Sequence, residues 1–209
     1  MSAYFLEQAR RHAGARDWPA AHAACERAVA QSPDDARAWY LKGTVELALK
    51  RPREARGSAE RAVSLAPAEG RGWLLLGDAS LESGDREGAV RALERAVEAA
   101  PDWSVAWTRL GTLRFEARDP GAAEAAFARA VQLDPGQARA WNNLALARLE
   151  LGKVDGAEEA LKRALALRPD YAIAYRNLAR VAALRGRQAE RETYEAVATR
   201  LASMSGASS

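Results

Sequence analysis

An aromatic residue returns every 34 positions along this chain. Phe5, Trp39, Trp73, Trp107, Trp141 and Tyr175 keep that step, and Pro33, Pro67, Pro101, Pro135 and Pro169 keep it too. Two residue types locked to one period make the chain a run of copies of a single supersecondary unit, which buries its apolar side only against its neighbours. The stretch Ala138–Tyr171 is the clearest copy, marked by Trp141, Leu144, Ala145, Gly152, Ala157, Leu161, Ala164 and Pro169. It reads as a helix, a turn, a second helix and a break.

The register explains the residue types. A small residue at the eighth position (Ala9, Gly43, Gly77, Gly111, Ala145, Ala179) and an alanine at the twentieth (Ala21, Ala55, Ala89, Ala123, Ala157) fall where the two helices cross. A larger side chain there forces the axes apart, and overpacking costs about 1–3 kcal/mol. The alanine at the twenty-seventh (Ala28, Ala62, Ala96, Ala130, Ala164) serves the contact with the next unit, and the fourth-position aromatic fills the core. Gly84, Gly152 and Gly186 stand where a left-handed residue ends the first helix. Lys50 and Arg118 hold that place in two other units, while Gly14 and Ala15 blur the first turn. Each second helix stops near its proline, and Asp34, Asp102 and Asp170 are placed to cap the next helix.

This pattern of tryptophan, leucine, glycine, alanine and proline at a 34-residue period resembles the tetratricopeptide repeat over about residues 2–201. The resemblance implies an all-α fold, a right-handed α-solenoid of tandem helix–turn–helix repeats at 2–35, 36–69, 70–103, 104–137 and 138–171. A degenerate sixth unit with a capping helix occupies 172–201, and the small polar tail 202–209 is expected to be disordered. In the cap, Tyr194, Val197, Ala198, Leu201 and Met204 form the apolar side at helical spacing. The whole array is expected to be one elongated domain.

Composition narrows the function. The net charge is +3, and the six arginines and three glutamates of residues 172–209 account for all of it. The main body is therefore neutral, which opposes nucleic-acid binding through the arginine-rich last unit, since backbone binding needs many neutralised phosphates. No apolar run reaches the roughly 18 residues of a membrane span, and nothing at the start resembles a signal peptide. With one cysteine, Cys25, the expectation is a cytoplasmic protein. The few lysines and many alanines suit a GC-rich, bacterial genome.

The catalytic inventory is nearly empty: two histidines and one cysteine, all in the first unit. His22 and Cys25 lie one turn apart, but a structural zinc site needs four ligands and His12 is the only other candidate. No catalytic residue, cofactor site or metal site is assigned, and an enzyme is not expected.

The resemblance implies instead a protein–protein adaptor or scaffold that holds a partner peptide or helix in a concave groove lined by first helices. Carried over by position, the contact candidates are Arg37, Tyr40, Arg71, Asp78, Thr108, Arg139, Asn142, Asn143, Arg176, Asn177 and Arg180. Arginines at the second position and glutamates at the thirteenth form two stripes, both opposed to the helix dipole, so helix stability alone does not choose them. The competing explanation is local pairing of Arg37 with Asp35 and Arg71 with Glu69. The lysine–asparagine clamp that the family uses for a partner's C-terminal carboxylate is not completed around Asn143 or Asn177. Self-association through the degenerate ends is the structural alternative to an adaptor.

Overall fold

The structure, a computed structural model, describes residues 2–206, and of these the side chains of 3–204. All secondary structure among them is helical. The described residues gather into two compact units, Met1–Asp102 and Trp103–Ser209, so the division falls at the junction of the third and fourth repeats.

The first unit contains α1 (Ser2–Gly14), α2 (Trp18–Gln31), α3 (Ala36–Ala48), α4 (Pro52–Leu65), α5 (Gly70–Glu82) and α6 (Arg86–Ala99). The second contains α7 (Ser104–Glu116), α8 (Pro120–Leu133), α9 (Ala138–Glu150), α10 (Val154–Leu167), α11 (Ala172–Leu184) and α12 (Gln188–Gly206). Each helix packs on the next within its unit. First helices also touch one another, α1 with α3 and α3 with α5, then α7 with α9 and α9 with α11. The odd-numbered helices thus share a face in each unit. The fold class is all-α, an α-solenoid of tandem helix–turn–helix repeats.

The helix crossings are as tight as the register requires. A Cβ added to Gly43 would lie 3.2 Å from the carbonyl oxygen of Ala55, its partner at the twentieth position. Ala55, Ala89, Ala123 and Ala157 are wholly buried at those crossings. The six fourth-position aromatics are half-buried, and Phe5, Trp39 and Trp141 pack against the core. Fully enclosed bulk comes from the twenty-fourth position, where Phe127 and Leu161 are 1% and 0% exposed and Cys25 is 0%, and from Leu144, Val45 and Val181 of first helices.

All six turns use one device. The fifteenth residue of every unit has positive φ: Arg16 at 57°, Lys50 at 61°, Gly84 at 90°, Arg118 at 62°, Gly152 at 71° and Gly186 at 67°. The first turn, expected to be blurred by Gly14 and Ala15, is therefore regular and turns on Arg16.

The caps differ from expectation. Helix α3 is capped by Asp35, which accepts from the Arg37 N–H at 3.0 Å, and Asp34 stands one residue too early. The cap positions of α7 and α11 are taken by Trp103 and Tyr171, so Asp102 and Asp170 precede the cap without occupying it. Second helices carry side-chain caps too: Asp17 to Ala20, Asp85 to Gly88 and Asp119 to Ala122.

At the C-terminal end α12 covers α11. Ala198 is buried, Tyr194, Val197 and Leu201 are half-buried, and the Tyr194 ring lies 6.3 Å from that of Tyr175. Met204, expected on the apolar side, is 59% exposed because the helix runs past the edge of α11. The tail expected to be disordered from residue 202 is helical as far as Gly206, and residues 207–209 lie outside the described residues.

Candidate partner-binding face

In the first unit the opening turns of α3 and α5 flank a recess of ≈ 590 Å³. Arg37, Tyr40 and Arg71 line it, with Ala62 of α4, Ala66 just past its end, and Glu69 and Asp35 beside them. Arg37 forms a two-point pair with Asp35, Nε to Oδ1 and Nη2 to Oδ2, each at 3.0 Å. This pairing, opposed by some burial, holds the Asp35 carboxyl below its ordinary range. The local pairing weighed for Arg37 is therefore real. For Arg71 it is not: among the described residues this exposed guanidinium has no ion-pair or hydrogen-bond partner. Asp78 lies two turns along α5, half-buried and outside the recess.

In the second unit the candidates separate into two kinds. Arg139 and Arg176 are exposed and, among the described residues, unpartnered. Asn142 is turned inward at 2% exposed, and its Oδ1 accepts from Asn177 Nδ2 at 2.8 Å. Asn142 therefore ties α9 to α11. Its own Nδ2 reaches Asn143 Oδ1 only at 3.5 Å, leaving Asn143 half-buried beside it. Thr108 donates its hydroxyl proton back to the Ser104 carbonyl at 2.9 Å.

Arg180 is also engaged. Its Nη2 stands 3.0 Å from Glu150 Oε1, which joins the arginine of one repeat to the thirteenth-position glutamate of the repeat before. Arg176 and Arg180 line a second recess of ≈ 610 Å³ with Arg191, Glu195 and Thr199 of α12. Arg191, which the sequence register did not single out, is held by Glu195 at 2.8 Å.

The sequence also left one buried carboxylate unremarked. Glu46 occupies the eleventh position, where the repeat pattern carries tyrosine and the side chain faces the second helix. That register was the available signal. Glu46 is 2% exposed and lies against His22 and Ser58. Cys25 is enclosed nearby, and burial, reinforced by the Glu46 charge, pushes its thiol up to about 12.

The sequence model of the Cilia and flagella-associated protein 70 C-terminal domain, a tetratricopeptide-repeat family, matches residues 4–202. The chain belongs to that family. No curated protein matches this tetratricopeptide chain significantly. Solved structures do. The MamA protein is 21% identical, with 82% of this chain and 93% of that one covered at a TM-score of 0.72. PilF of Pseudomonas aeruginosa is 16% identical, covering 96% and 91% at 0.81. YrrB, described as a tetratricopeptide protein with an unusual peptide-binding site, is 24% identical, covering 81% and 88% at 0.69. At these identities the likeness is one of fold. Among the described residues no helix is long and apolar enough to cross a membrane.

Proposed function

We propose that this tetratricopeptide chain is a protein-interaction adaptor or scaffold, and that it holds an extended peptide or helix of its partner against first helices. One observation carries the reading. Arg37, Tyr40 and Arg71, carried over from the family's groove positions, line a single recess, and Arg71 stands there exposed and, among the described residues, without an ion-pair partner. Arginine and aromatic side chains dominate interaction hot spots, and an unpaired guanidinium is free to meet a carboxylate or a backbone carbonyl. YrrB supports the reading as a protein of this fold with a peptide-binding site. The reading assigns no catalytic step, and it places the adaptor in the cytoplasm, in keeping with the free thiol of Cys25.

The test is capture of partners from source-cell lysate by wild type and by Arg71→Glu and Arg139→Glu variants, each shown by circular dichroism to be folded. A partner retained by wild type and lost from the variants supports the first-helix face. Equal retention by all three defeats it.

A second reading, self-association through the ends, draws on Tyr4, Leu184 and Met204, which are 61%, 59% and 59% exposed. Light scattering at two concentrations distinguishes it. Nucleic-acid binding is disfavoured, since Arg180, Arg185, Arg187 and Arg191 of the last unit are all ion-paired to carboxylates.

A further inference from the structure

We infer a divalent-metal site of the zinc class at His22, Glu46 and Glu54, independent of the adaptor reading. The three residues come from α2, α3 and the first turn of α4. One ligand atom from each lies within 4.8 Å of the other two. Helix packing, not sequence proximity, brings them together.

The spacing fits a metal better than a hydrogen bond. His22 Nε2 stands 3.4 Å from Glu46 Oε1. That is long against the roughly 2.7–3.2 Å of an ordinary hydrogen bond. It matches the edge of a tetrahedron whose metal–ligand bonds are about 2.0–2.1 Å, the lengths zinc makes with imidazole and carboxylate.

Glu46 is fixed for the task. Its side chain is 3% exposed, and Oε2 accepts the Ser58 hydroxyl proton at 2.6 Å. Among the described residues Oε1 has only the imidazole at 3.4 Å and the Lys42 ammonium at 3.8 Å, and Lys42 is drawn away by Glu26 at 2.9 Å. A buried carboxylate oxygen without a close donor is costly to keep charged. A cation between Glu46 and His22 gives Oε1 a closer positive partner than Lys42 at 3.8 Å.

Glu54 is exposed, paired with Arg51 only at 3.4 Å, and closes the solvent side of the cluster. Three protein ligands leave a fourth position for water. The local charge suits a cation, with Glu26, Glu46 and Glu54 facing Lys42 and Arg51. One imidazole nitrogen with two carboxylates favours zinc over magnesium or calcium, which take oxygen shells. Cys25 is not part of the set: it is 0% exposed and outside the cluster. Nor is the site a property of the fold. The eleventh position carries His12, Ser80, Arg114, Arg148 and Ala182 in the other units, so a carboxylate stands there in the second repeat alone.

The experiment is calorimetric titration of the full chain with ZnCl2. Wild type takes up one Zn²⁺, and excess MgCl2 does not displace it. His22→Ala and Glu54→Gln each weaken binding at least ~10-fold, a loss that even outer partners of metal sites produce when removed. His12→Ala, whose imidazole lies beside Asp17 at 3.8 Å, binds as wild type does. Glu54 is exposed, so Glu54→Gln keeps the fold, which a thermal melt checks. No uptake by wild type overturns the site. So does uptake unchanged in Glu54→Gln, or displacement by magnesium.

Discussion

The indole N–H of Trp39 donates to the carbonyl of Pro33 at 2.9 Å. Trp73 does the same to Pro67 at 2.8 Å, and Trp141 to Pro135 at 2.9 Å. The two residue types that share the 34-residue period are thus bonded to each other. The proline sits beyond the end of a second helix, and the tryptophan six residues on lies in the next first helix. The bond fastens the loop to the helix that follows it and satisfies an indole N–H that half-burial would otherwise strand.

Trp73→Phe keeps most of the packing and loses this bond, so it is expected to lower stability by about 1 kcal/mol. Trp73→Ala loses the ring as well and should cost about 3 kcal/mol. Urea denaturation of both variants separates the two contributions, and a Trp73→Phe variant as stable as wild type would show that the bond adds nothing.

The turns offer a stabilising change. Lys50 and Arg118 hold φ values of 61° and 62° where three sister units use glycine. The left-handed conformation costs an ordinary residue about 1–2 kcal/mol, offset in part by the extra unfolded-state entropy of glycine. Lys50→Gly and Arg118→Gly are each expected to raise stability by roughly 0.5–1 kcal/mol. The two sites share no partner, so the double variant should be additive, as its melting temperature will report.

The crossing of α7 and α8 is the place where adding a methyl hurts. A Cβ at Gly111 would lie 2.8 Å from two ring carbons of Phe127, itself 1% exposed. The ring has nowhere to retreat, and Gly111→Ala should destabilise by about 1–3 kcal/mol. Alanine is tolerated at the same register in Ala145, which crosses over the more yielding Leu161. Chemical denaturation tests the contrast.

Acid should weaken the second unit through Glu124. Burial by itself would raise this carboxyl, but bonds from Lys153 at 2.5 Å and Arg148 at 3.2 Å outweigh it and hold the group below its ordinary 4.5. With the native value depressed, the unfolded chain binds the proton more readily. The stabilisation is therefore complete above the ordinary carboxylate value and is lost as pH falls through the lower native one. Arg148→Gln should flatten that part of the stability–pH curve, as denaturant midpoints measured across the acid range will show.

The sequence by itself determined the repeat and its close crossings. Period and residue size are properties of a single unit, and each unit repeats them: Gly43 meets Ala55 where the eighth and twentieth positions say it must. The two helices of the second repeat, Ala36–Ala48 and Pro52–Leu65, fall inside the unit read from the sequence as 36–69. Turn chemistry was legible where glycine marked it and hidden at Arg16, because a left-handed arginine carries no sign of its backbone.

Only the tertiary structure decided which polar groups are free. Arg37 and Arg71 share a register position, yet one is paired with Asp35 and the other, among the described residues, with no carboxylate. Asn142 and Asn143 are neighbours in sequence, but only Asn142 is turned into the contact between α9 and α11. Arg180 meets Glu150 across 30 residues, and His22 meets Glu46 across 24. The physical reason is common to all four. Apolar pattern and residue size are read along one helix, whereas a charge or amide is satisfied by whatever the neighbouring repeat brings within about 3 Å. That partner follows from the stacking of helices, which no single repeat encodes.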